Sequence, residues 1–229
     1  MYTSKIIKII ELAEKTLAIQ LTKPSEYIFE AGQFFQIYIK DKNNNLLSRY
    51  FSICSAPADS ILEFATRLTG SDFKQALLNK KIGDEIEFTK ALGKFTLPEN
   101  KLKPTVFLTG GIGITPFLSM LRELRNQGFD RKIYLFYSNK STESTAYLKE
   151  IKEIANNNFE LIMTMTNDPT WLGNTGYINE DIIIKNVDNF LEANYLIAGP
   201  PAMVKAMIEL TKQIKITTNQ VQSEEFSGY

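Results

Sequence analysis

A glycine turn between an apolar run and a helical repeat constrains the fold of this chain more than any other feature. It lies in TVFLTGGIGITPFLSMLREL, residues 105–124. The run before the turn is typical of a buried strand, and apolar residues after it recur at the three- and four-residue spacing of one helix face: Phe117, Leu118, Leu121 and Leu124. Strand, turn and helix in this order leave bare backbone at the positive end of a helix, which suits a pyrophosphate.

The turn itself contains Gly110, Gly111 and Gly113 and is followed by Thr115-Pro116. We expect Pro116 at the first helical position, where a missing N–H costs nothing, and Thr115 before it as the cap of the free amides. The usual dinucleotide pattern GxGxxG is not met, because Pro116 stands where its last glycine belongs. A tight turn in any α/β domain is an alternative that this stretch alone does not exclude.

The residue types that are missing exclude several kinds of active site. Among 229 residues there is no histidine and one cysteine, Cys54. Zinc sites, haem ligation by His and catalytic triads through His are therefore excluded, and an iron–sulfur cluster, which needs about four cysteines, cannot form from this chain. Redox chemistry here requires an organic cofactor, and we expect no metal.

Charge and hydropathy limit the partners. The chain carries 26 basic and 26 acidic residues and no basic tract of the kind that nucleic-acid-binding proteins present. No uncharged apolar run reaches the roughly 18 residues of a membrane span, and charges interrupt the N-terminus, unlike a signal peptide. We expect a cytoplasmic protein that binds no nucleic acid and has no membrane span.

Residues 1–100 are predicted to form an antiparallel β-barrel. Short β-rich runs separated by turn residues recur there: KIIKII, TLAIQL, FFQIYIK, YFSICS, ILEFATRL and DEIEFTK. One short helix is predicted among them, SDFKQALL, from Ser71 to Leu78.

Residues 101–229 are predicted to form a second, α/β domain, after a linker at Lys101 to Pro104. Strands and helices alternate here, with further strands KIYLFY, FELIMTM and NYLIAG and helices around Ala146 to Ala155 and Ala202 to Lys215. Such alternation is typical of a parallel sheet with helices on both faces.

The tetrad Arg49-Tyr50-Phe51-Ser52 is a candidate cofactor site at what we predict to be the start of a strand. An arginine can bind a phosphate, an aromatic two positions on lies on the same strand face and can cover a flat ring, and a neighbouring serine can hydrogen-bond a ring nitrogen. Alone, the tetrad also fits an ordinary strand with a surface arginine.

Taken together, these segments resemble the ferredoxin–NADP reductase superfamily, and the resemblance covers nearly the whole chain in order. GGIGITP resembles its nicotinamide-binding turn and RYFS its Arg-x-aromatic-Ser flavin motif. The resemblance implies that Arg49 binds the flavin pyrophosphate, Phe51 packs on the isoalloxazine and Ser52 lies near the nitrogen that accepts hydride. The flavin-binding residues it implies are Arg49, Tyr50, Phe51, Ser52, Thr66, Arg67, Gly70, Ser71, Phe73 and Lys74.

The second domain carries the rest of the resemblance. Ala198-Gly199-Pro200-Pro201 resembles the family's Cys-Gly-Pro-Pro, with Ala198 where the family has the cysteine that borders the nicotinamide. The coenzyme-binding residues that it implies are Gly110, Gly111, Gly113, Thr115, Pro116, Ser138, Lys140, Ala198, Gly199, Pro200 and Pro201.

The chain end resembles the family's terminal strand, which carries Glu-x-aromatic. Glu224 and Phe226 have that spacing, so Phe226 is implied to cover the second flavin face, and Tyr229 is an alternative for this role. With Ser52, Glu224 and Phe226 are the candidate catalytic residues.

The family implies an FAD-dependent NAD(P)H oxidoreductase. Hydride passes from nicotinamide to flavin, and electrons then go to a carrier such as ferredoxin or flavodoxin, or to an oxygenase. FAD is expected rather than FMN, because a terminal aromatic shield occurs in relatives that carry FAD. The alternative is a non-catalytic flavin-binding or fold-only interaction module. This alternative is favoured by Ala198, which replaces the family's cysteine.

NADH is expected to be slightly preferred over NADPH. The second α/β strand ends at Ser138-Asn139-Lys140, where an NADH site usually has an acid for the ribose hydroxyls; none is present there, and Glu143 is the nearest. The absence of an acid favours NADPH, and so does Lys140, because its ammonium can pair with a 2′-phosphate. The arginine that NADPH-specific relatives carry is, however, Met165 here, after Thr164. We therefore expect discrimination below about a hundredfold.

Overall fold

Two units make up the chain in a computed structural model that describes residues 1–154 and 156–226. The first comprises Met1–Thr96 with Thr115–Glu123, and the second comprises Leu97–Ile114 with the described chain from Leu124 onward. One helix contributes residues to both units. The domain boundary predicted after residue 100 therefore stays a prediction.

The first unit is a six-stranded antiparallel sheet in the order β4-β3-β6-β1-β2-β5. All six predicted strands are present, as is the predicted short helix between the last two. Their bounds are β1 Tyr2–Ala13, β2 Thr16–Thr22, β3 Phe34–Lys40, β4 Leu46–Ser52, β5 Ile61–Arg67, α1 Asp72–Leu78 and β6 Glu85–Phe88.

The edges of this sheet come together and close it into a barrel. The ring of Phe51 on β4 lies 5.0 Å from that of Phe64 on β5, and the backbone N–H of Cys54 donates to the Glu63 carbonyl at 2.7 Å. Alternating residues of each strand point inward, as on β3, where Phe35, Ile37 and Ile39 are buried and join one apolar core. Burial of these side chains is what stabilises the barrel.

The motif Arg49–Ser52 lies at the end of β4 and does not open the strand, contrary to the prediction. β4 begins at Leu46, because it forms a hairpin with β3 that pairs Lys40 with Leu46 and Phe34 with Ser52. The loop ends at Asn45, so the strand already contains Leu46, Leu47 and Ser48 before it reaches Arg49.

The second unit is a six-stranded parallel sheet in the order β10-β9-β8-β7-β11-β12. Its strands are β7 Thr105–Gly110, β8 Ile133–Asn139, β9 Phe159–Met165, β10 Asn174–Thr175, β11 Asn194–Gly199 and β12 Val221–Glu225. Its helices are α3 Leu148–Ile154, α4 Glu180–Asn186 and α5 Pro201–Gln213, and α2 Ile114–Gln127 is the helix whose residues are divided between the units. The predicted fold class, an antiparallel barrel followed by a parallel α/β sheet, is confirmed.

The order of the parallel strands reverses between β7 and β11. From β7 the chain adds β8, β9 and β10 on one side, and it then returns to place β11 on the other side. Ligands of open parallel sheets bind outside the carboxyl ends of the strands at such a reversal. The glycine turn after β7 and the Gly-Pro-Pro turn after β11 both lie there.

Helix α3 is shorter than predicted. Tyr147 has φ 58°, a left-handed conformation that a helix cannot contain, so the helix begins only at Leu148. It ends at Ile154, and Ala155 lies outside the described residues.

Within residues 1–154 and 156–226, no helix has the length and apolar character needed to cross a membrane.

Candidate functional site

The glycine turn after β7 passes directly into a helix. Gly111–Gly113 form one 3-10 turn, and α2 starts at Ile114 with Gly113 as its N-cap. Thr115 and Pro116 therefore lie inside the first helical turn, so their predicted places as cap and first residue are wrong. The reason is that Gly113 already has φ −58° and ψ −10°, which continues the 3-10 turn into the helix. No side chain caps α2, so backbone amides form this helix end.

The turns after β7 and β11 pack together so closely that only glycine fits. A Cβ on Gly113 would lie 2.5 Å from the Ala198 carbonyl oxygen and 2.7 Å from Gly199 Cα. A Cβ on Gly110 would lie 2.7 Å from the sulfur of Met203. The Thr109 hydroxyl donates to the Ala198 carbonyl at 2.9 Å, which ties the two strand ends together. The structure thus brings the two predicted coenzyme motifs to one place.

The Gly-Pro-Pro turn begins a helix as the sequence predicts. Pro200 is the N-cap of α5 and Pro201 its first residue, where the missing N–H has no cost. Gly199 has φ 156°, and Ala198 is fully buried beneath the turn. A side chain larger than the Ala198 methyl group would therefore have to fit into a buried position.

The terminal strand β12 lies beside this turn. It pairs in parallel with β11, with Glu224 opposite Ala198, and the Phe226 N–H donates to the Gly199 carbonyl at 2.9 Å. Burial raises the pKa of the Glu224 carboxyl to about 7, and its Oε2 has no hydrogen-bond partner in the described chain. Phe226 is half-buried, and Tyr229, the alternative to it, lies outside the described residues.

The loops that follow β8 and β9 run side by side. Ser138 pairs with Gly110 in the sheet, and Lys140 after it is exposed. The N–H groups of Thr166 and Asn167 donate to the carbonyls of Asn139 and Lys140, at 2.9 and 2.8 Å. These bonds place the residues after β9 next to the predicted coenzyme residues Ser138 and Lys140.

One acidic side chain in this loop pair was missed by sequence reasoning. Asp168 Oδ2 accepts from the N–H of Thr142 at 2.9 Å and from its hydroxyl at 2.8 Å. Along the chain, Glu143 is the acid nearest to the end of β8, whereas Asp168 follows β9. The pattern Asp-Pro-Thr after a buried strand, which favours a turn with an exposed acid, is the signal that could have found it.

In the first unit, the end of β4 presents the four predicted flavin residues on two faces. Arg49 is exposed, and Tyr50, 62% exposed, meets the Phe34 ring edge-on at 5.6 Å. Phe51 is half-buried on the opposite face from Tyr50. Ser52 is buried, and its hydroxyl has no hydrogen-bond partner within the described residues. A buried hydroxyl without a partner costs stability unless a ligand completes it.

A second cation lies beside Arg49. Lys74 on α1 is buried, and burial first and then the charge of Arg49 lower the pKa of its ammonium. The family resemblance implied that both residues bind the flavin, but periodicity and turn chemistry do not indicate that they approach each other. Two neighbouring cations, one of them buried, suit an anionic group such as a phosphate.

The remaining predicted flavin residues lie at the end of β5, in the loop after it and at the start of α1. Ser71 is the N-cap residue of α1, yet it makes no side-chain cap bond, and its buried hydroxyl has no partner in the described part of the chain. Phe73 is buried and packs 5.6 Å from the Phe51 ring, so it supports that ring from the core side. Thr66 is buried at the end of β5, Arg67 after it is half-exposed, and Gly70 is exposed.

No three His, Cys, Asp or Glu side chains among residues 1–154 and 156–226 are grouped so that they could hold a metal ion.

Known proteins resemble this chain along most of its length. Residues 107–209 match the oxidoreductase NAD-binding domain family. The reductase component of propane 2-monooxygenase from Rhodococcus jostii is 25% identical over 237 residues, covering 98% of this chain and 63% of the relative. This chain thus spans less than two thirds of the length of the curated relatives that it matches first.

Solved structures share the fold along nearly the whole chain. The FAD/NAD-binding domain of a nitric oxide dioxygenase from Vibrio cholerae has a TM-score of 0.88 at 15% identity, with 98% of each chain covered. A ferredoxin NADP+ reductase from Neisseria gonorrhoeae, solved with FAD and NADP bound, has a TM-score of 0.84 at 24% identity, again with 98% of each chain covered.

Proposed function

Because the chain belongs to the ferredoxin–NADP reductase superfamily, we propose that it is an FAD-dependent NAD(P)H reductase. The observation that carries this proposal is the buried Lys74 beside Arg49, next to the half-buried Phe51 ring and the unpartnered Ser52 hydroxyl. Two cations, a flat apolar ring and an unused hydroxyl at one strand end fit a flavin with a pyrophosphate.

In the first unit, each residue has a separate task toward FAD. Arg49 and Lys74 hold the pyrophosphate, which also restores the charged form of Lys74 that burial and Arg49 disfavour. Ser71 adds a hydroxyl donor, Phe51 packs on the isoalloxazine, and Ser52 donates to the ring nitrogen. The chemistry that FAD supplies when bound is to accept a hydride and to release electrons singly.

In the second unit, backbone groups bind the nicotinamide dinucleotide. The amides at the start of α2 face the pyrophosphate. Gly110, Gly113 and Gly199 let the two turns pack together, and Gly111, where a Cβ would meet nothing within 4 Å, leaves the main chain open to the ligand. Glu224 and Phe226, held beside Gly199, orient the nicotinamide and cover the flavin face. Catalysis is then mainly positioning, which requires neither histidine nor cysteine.

The electron acceptor is proposed to be a small carrier protein or an oxygenase, and the protein to work in the cytoplasm. Support for the acceptor comes from the relatives, among which are an oxygenase reductase component and a dioxygenase electron transfer component.

A simple experiment tests the reductase proposal. Purified protein should be yellow, acid extraction should release FAD, and anaerobic NADH or NADPH should bleach the flavin band in stopped flow. A colourless protein that takes up neither FAD nor FMN would overturn the proposal, and release of FMN alone would overturn the choice of FAD. A panel of ferredoxin, flavodoxin and oxygenase components would then identify the acceptor.

A non-catalytic flavin-binding module remains the second candidate, and Ala198 is the observation that favours it. Position 198, where the family has the cysteine that borders the nicotinamide, carries a buried methyl group. Flavin that stays oxidised with both coenzymes, although each binds, would favour this candidate over the reductase.

A further inference from the structure

The loop pair after β8 and β9 carries an inference about coenzyme choice, which rests on the proposed function. In a dinucleotide-binding sheet the pyrophosphate lies at the glycine turn after the first strand, and the adenosine ribose lies over the end of the next strand. Here these strands are β7 and β8, since Gly110 pairs with Ser138. Thr164 of β9 pairs with Ser138 in turn. The ribose position is therefore flanked by the loops that follow β8 and β9.

Asp168 is fixed in these loops by four donors. Thr142 donates its N–H and hydroxyl to Oδ2, at 2.9 and 2.8 Å. Thr170 donates its N–H and hydroxyl to Oδ1, at 3.1 and 2.7 Å. The backbone bonds from Thr166 and Asn167 to the loop after β8 hold the whole segment in place. The carboxylate is thus a positioned charge and not a mobile surface group.

The same four hydrogen bonds decide the ionisation state of Asp168. They lower the pKa of its carboxyl to about 2, with the Thr142 N–H as the largest cause. The side chain is ionised wherever the protein is folded at ordinary pH. Because a carboxylate has about four acceptor sites and four donors already fill them, Asp168 acts on a ligand through its charge and not through a new hydrogen bond.

We infer that Asp168 is a specificity-determining residue that disfavours a phosphate on the adenosine 2′ position, so that NADH is preferred over NADPH. Like charges in this exposed loop repel, whereas the uncharged ribose hydroxyls of NADH meet no such penalty. Lys140, exposed in the neighbouring loop, acts in the opposite direction as an attractive point charge. Coenzyme choice is then the balance of one fixed anion and one mobile cation.

The test uses two ligands that differ only in the 2′-phosphate. Adenosine 5′-monophosphate and adenosine 2′,5′-bisphosphate are compared by calorimetry, or as competitive inhibitors, on the full chain with its flavin. Asp168→Asn should increase the affinity for the bisphosphate, relative to that for the monophosphate, by about five- to twentyfold at low salt. The gain should shrink as ionic strength rises. Lys140→Ala should shift the same ratio the other way.

Glu143→Gln is the matched control, since it removes one exposed negative charge from the same loop. It should leave the ratio unchanged. The inference is overturned if Asp168→Asn weakens both ligands equally, which indicates a purely structural role, or if Glu143→Gln shifts the ratio as much. Asp168→Ser replaces Asp168→Asn if the latter does not fold.

Failure of the proposed function is visible separately. If neither coenzyme bleaches the flavin, the reductase proposal fails, while the ratio of the two adenosine ligands still reports on Asp168. If the flavin is bleached but the ratio does not respond to Asp168→Asn, only the inference fails.

Discussion

The two sites that we propose for phosphate groups are built in different ways. In the first unit the groups are side chains, Arg49 and the buried Lys74, brought together from a strand and a helix. In the second unit they are backbone amides at the start of α2, beside a contact between two turns that leaves no room for a Cβ on Gly113. A side-chain site can be weakened in steps by single substitutions, whereas a backbone site tolerates change until added atoms displace the main chain.

The strongest way to break the backbone site is to add one methyl group at Gly113. Gly113→Ala places Cβ 2.5 Å from the Ala198 carbonyl, so the two turns must separate. We expect a loss of about 1–3 kcal/mol in stability and at least about a hundredfold in the rate of flavin reduction by NADH. Thermal unfolding and stopped flow measure both.

Gly128→Asn is the control for this change. Gly128 also lies in the second unit, and a Cβ there meets nothing within 4 Å, although its φ of 74° costs any side chain some stability. The variant should leave flavin reduction unchanged. Equal losses of flavin reduction in the two variants would show that close packing of the turns is not the reason.

The side-chain site should respond more gradually. Arg49→Ala removes a charge-assisted phosphate contact, so flavin affinity should fall by about 1.5–3 kcal/mol, while any protein that retains flavin should still be reduced by NADH. A flavin titration measures the loss, with Lys42→Ala, an exposed cation, as control. Unchanged affinity would contradict the role assigned to Arg49.

Phe226, which we propose to cover the flavin, directly follows the terminal strand and is bonded to Gly199. Phe226→Ala should change turnover, or the ratio of kcat/KM for the two coenzymes, by about tenfold, because one aromatic stack contributes about 1–1.5 kcal/mol. Steady-state kinetics with both coenzymes measure this. Truncation before Ser227 is the companion test: if it has that effect and Phe226→Ala has none, Tyr229 covers the flavin instead.

A pH dependence of stability is expected from Glu224. Burial raises the pKa of its carboxyl from the ordinary 4.5 to about 7. Between these values the folded protein keeps a proton that the unfolded chain has released, so stability falls as pH rises through this window. Glu224→Gln should remove about 1–2 kcal/mol of this dependence.

The free energy of unfolding, measured at a series of pH values between about 5 and 8, gives this pH dependence. The exposed neighbour Glu225→Gln serves as control. Equal slopes for the protein and Glu224→Gln would show that Glu224 titrates normally.

Signals that are local in the chain were sufficient for much of this protein. Alternating apolar residues predicted the barrel strands, and the run TVFLTGGIGITP predicted a strand, a glycine turn and a helix, because periodicity and turn chemistry depend on near neighbours. The helix start was misplaced by a residue or two. Backbone angles at Gly113, and not the side chains of Thr115 and Pro116, decide where α2 begins.

Contacts between distant segments were decided only by the tertiary structure. Lys74 lies beside Arg49 because α1 packs near the end of β4, and burial then changes its ionisation. Asp168 lies beside Thr142, 26 residues earlier, because parallel strands bring their carboxyl ends to one edge of the sheet. Charge interactions of this kind depend on distance in space, which periodicity and turn chemistry do not encode.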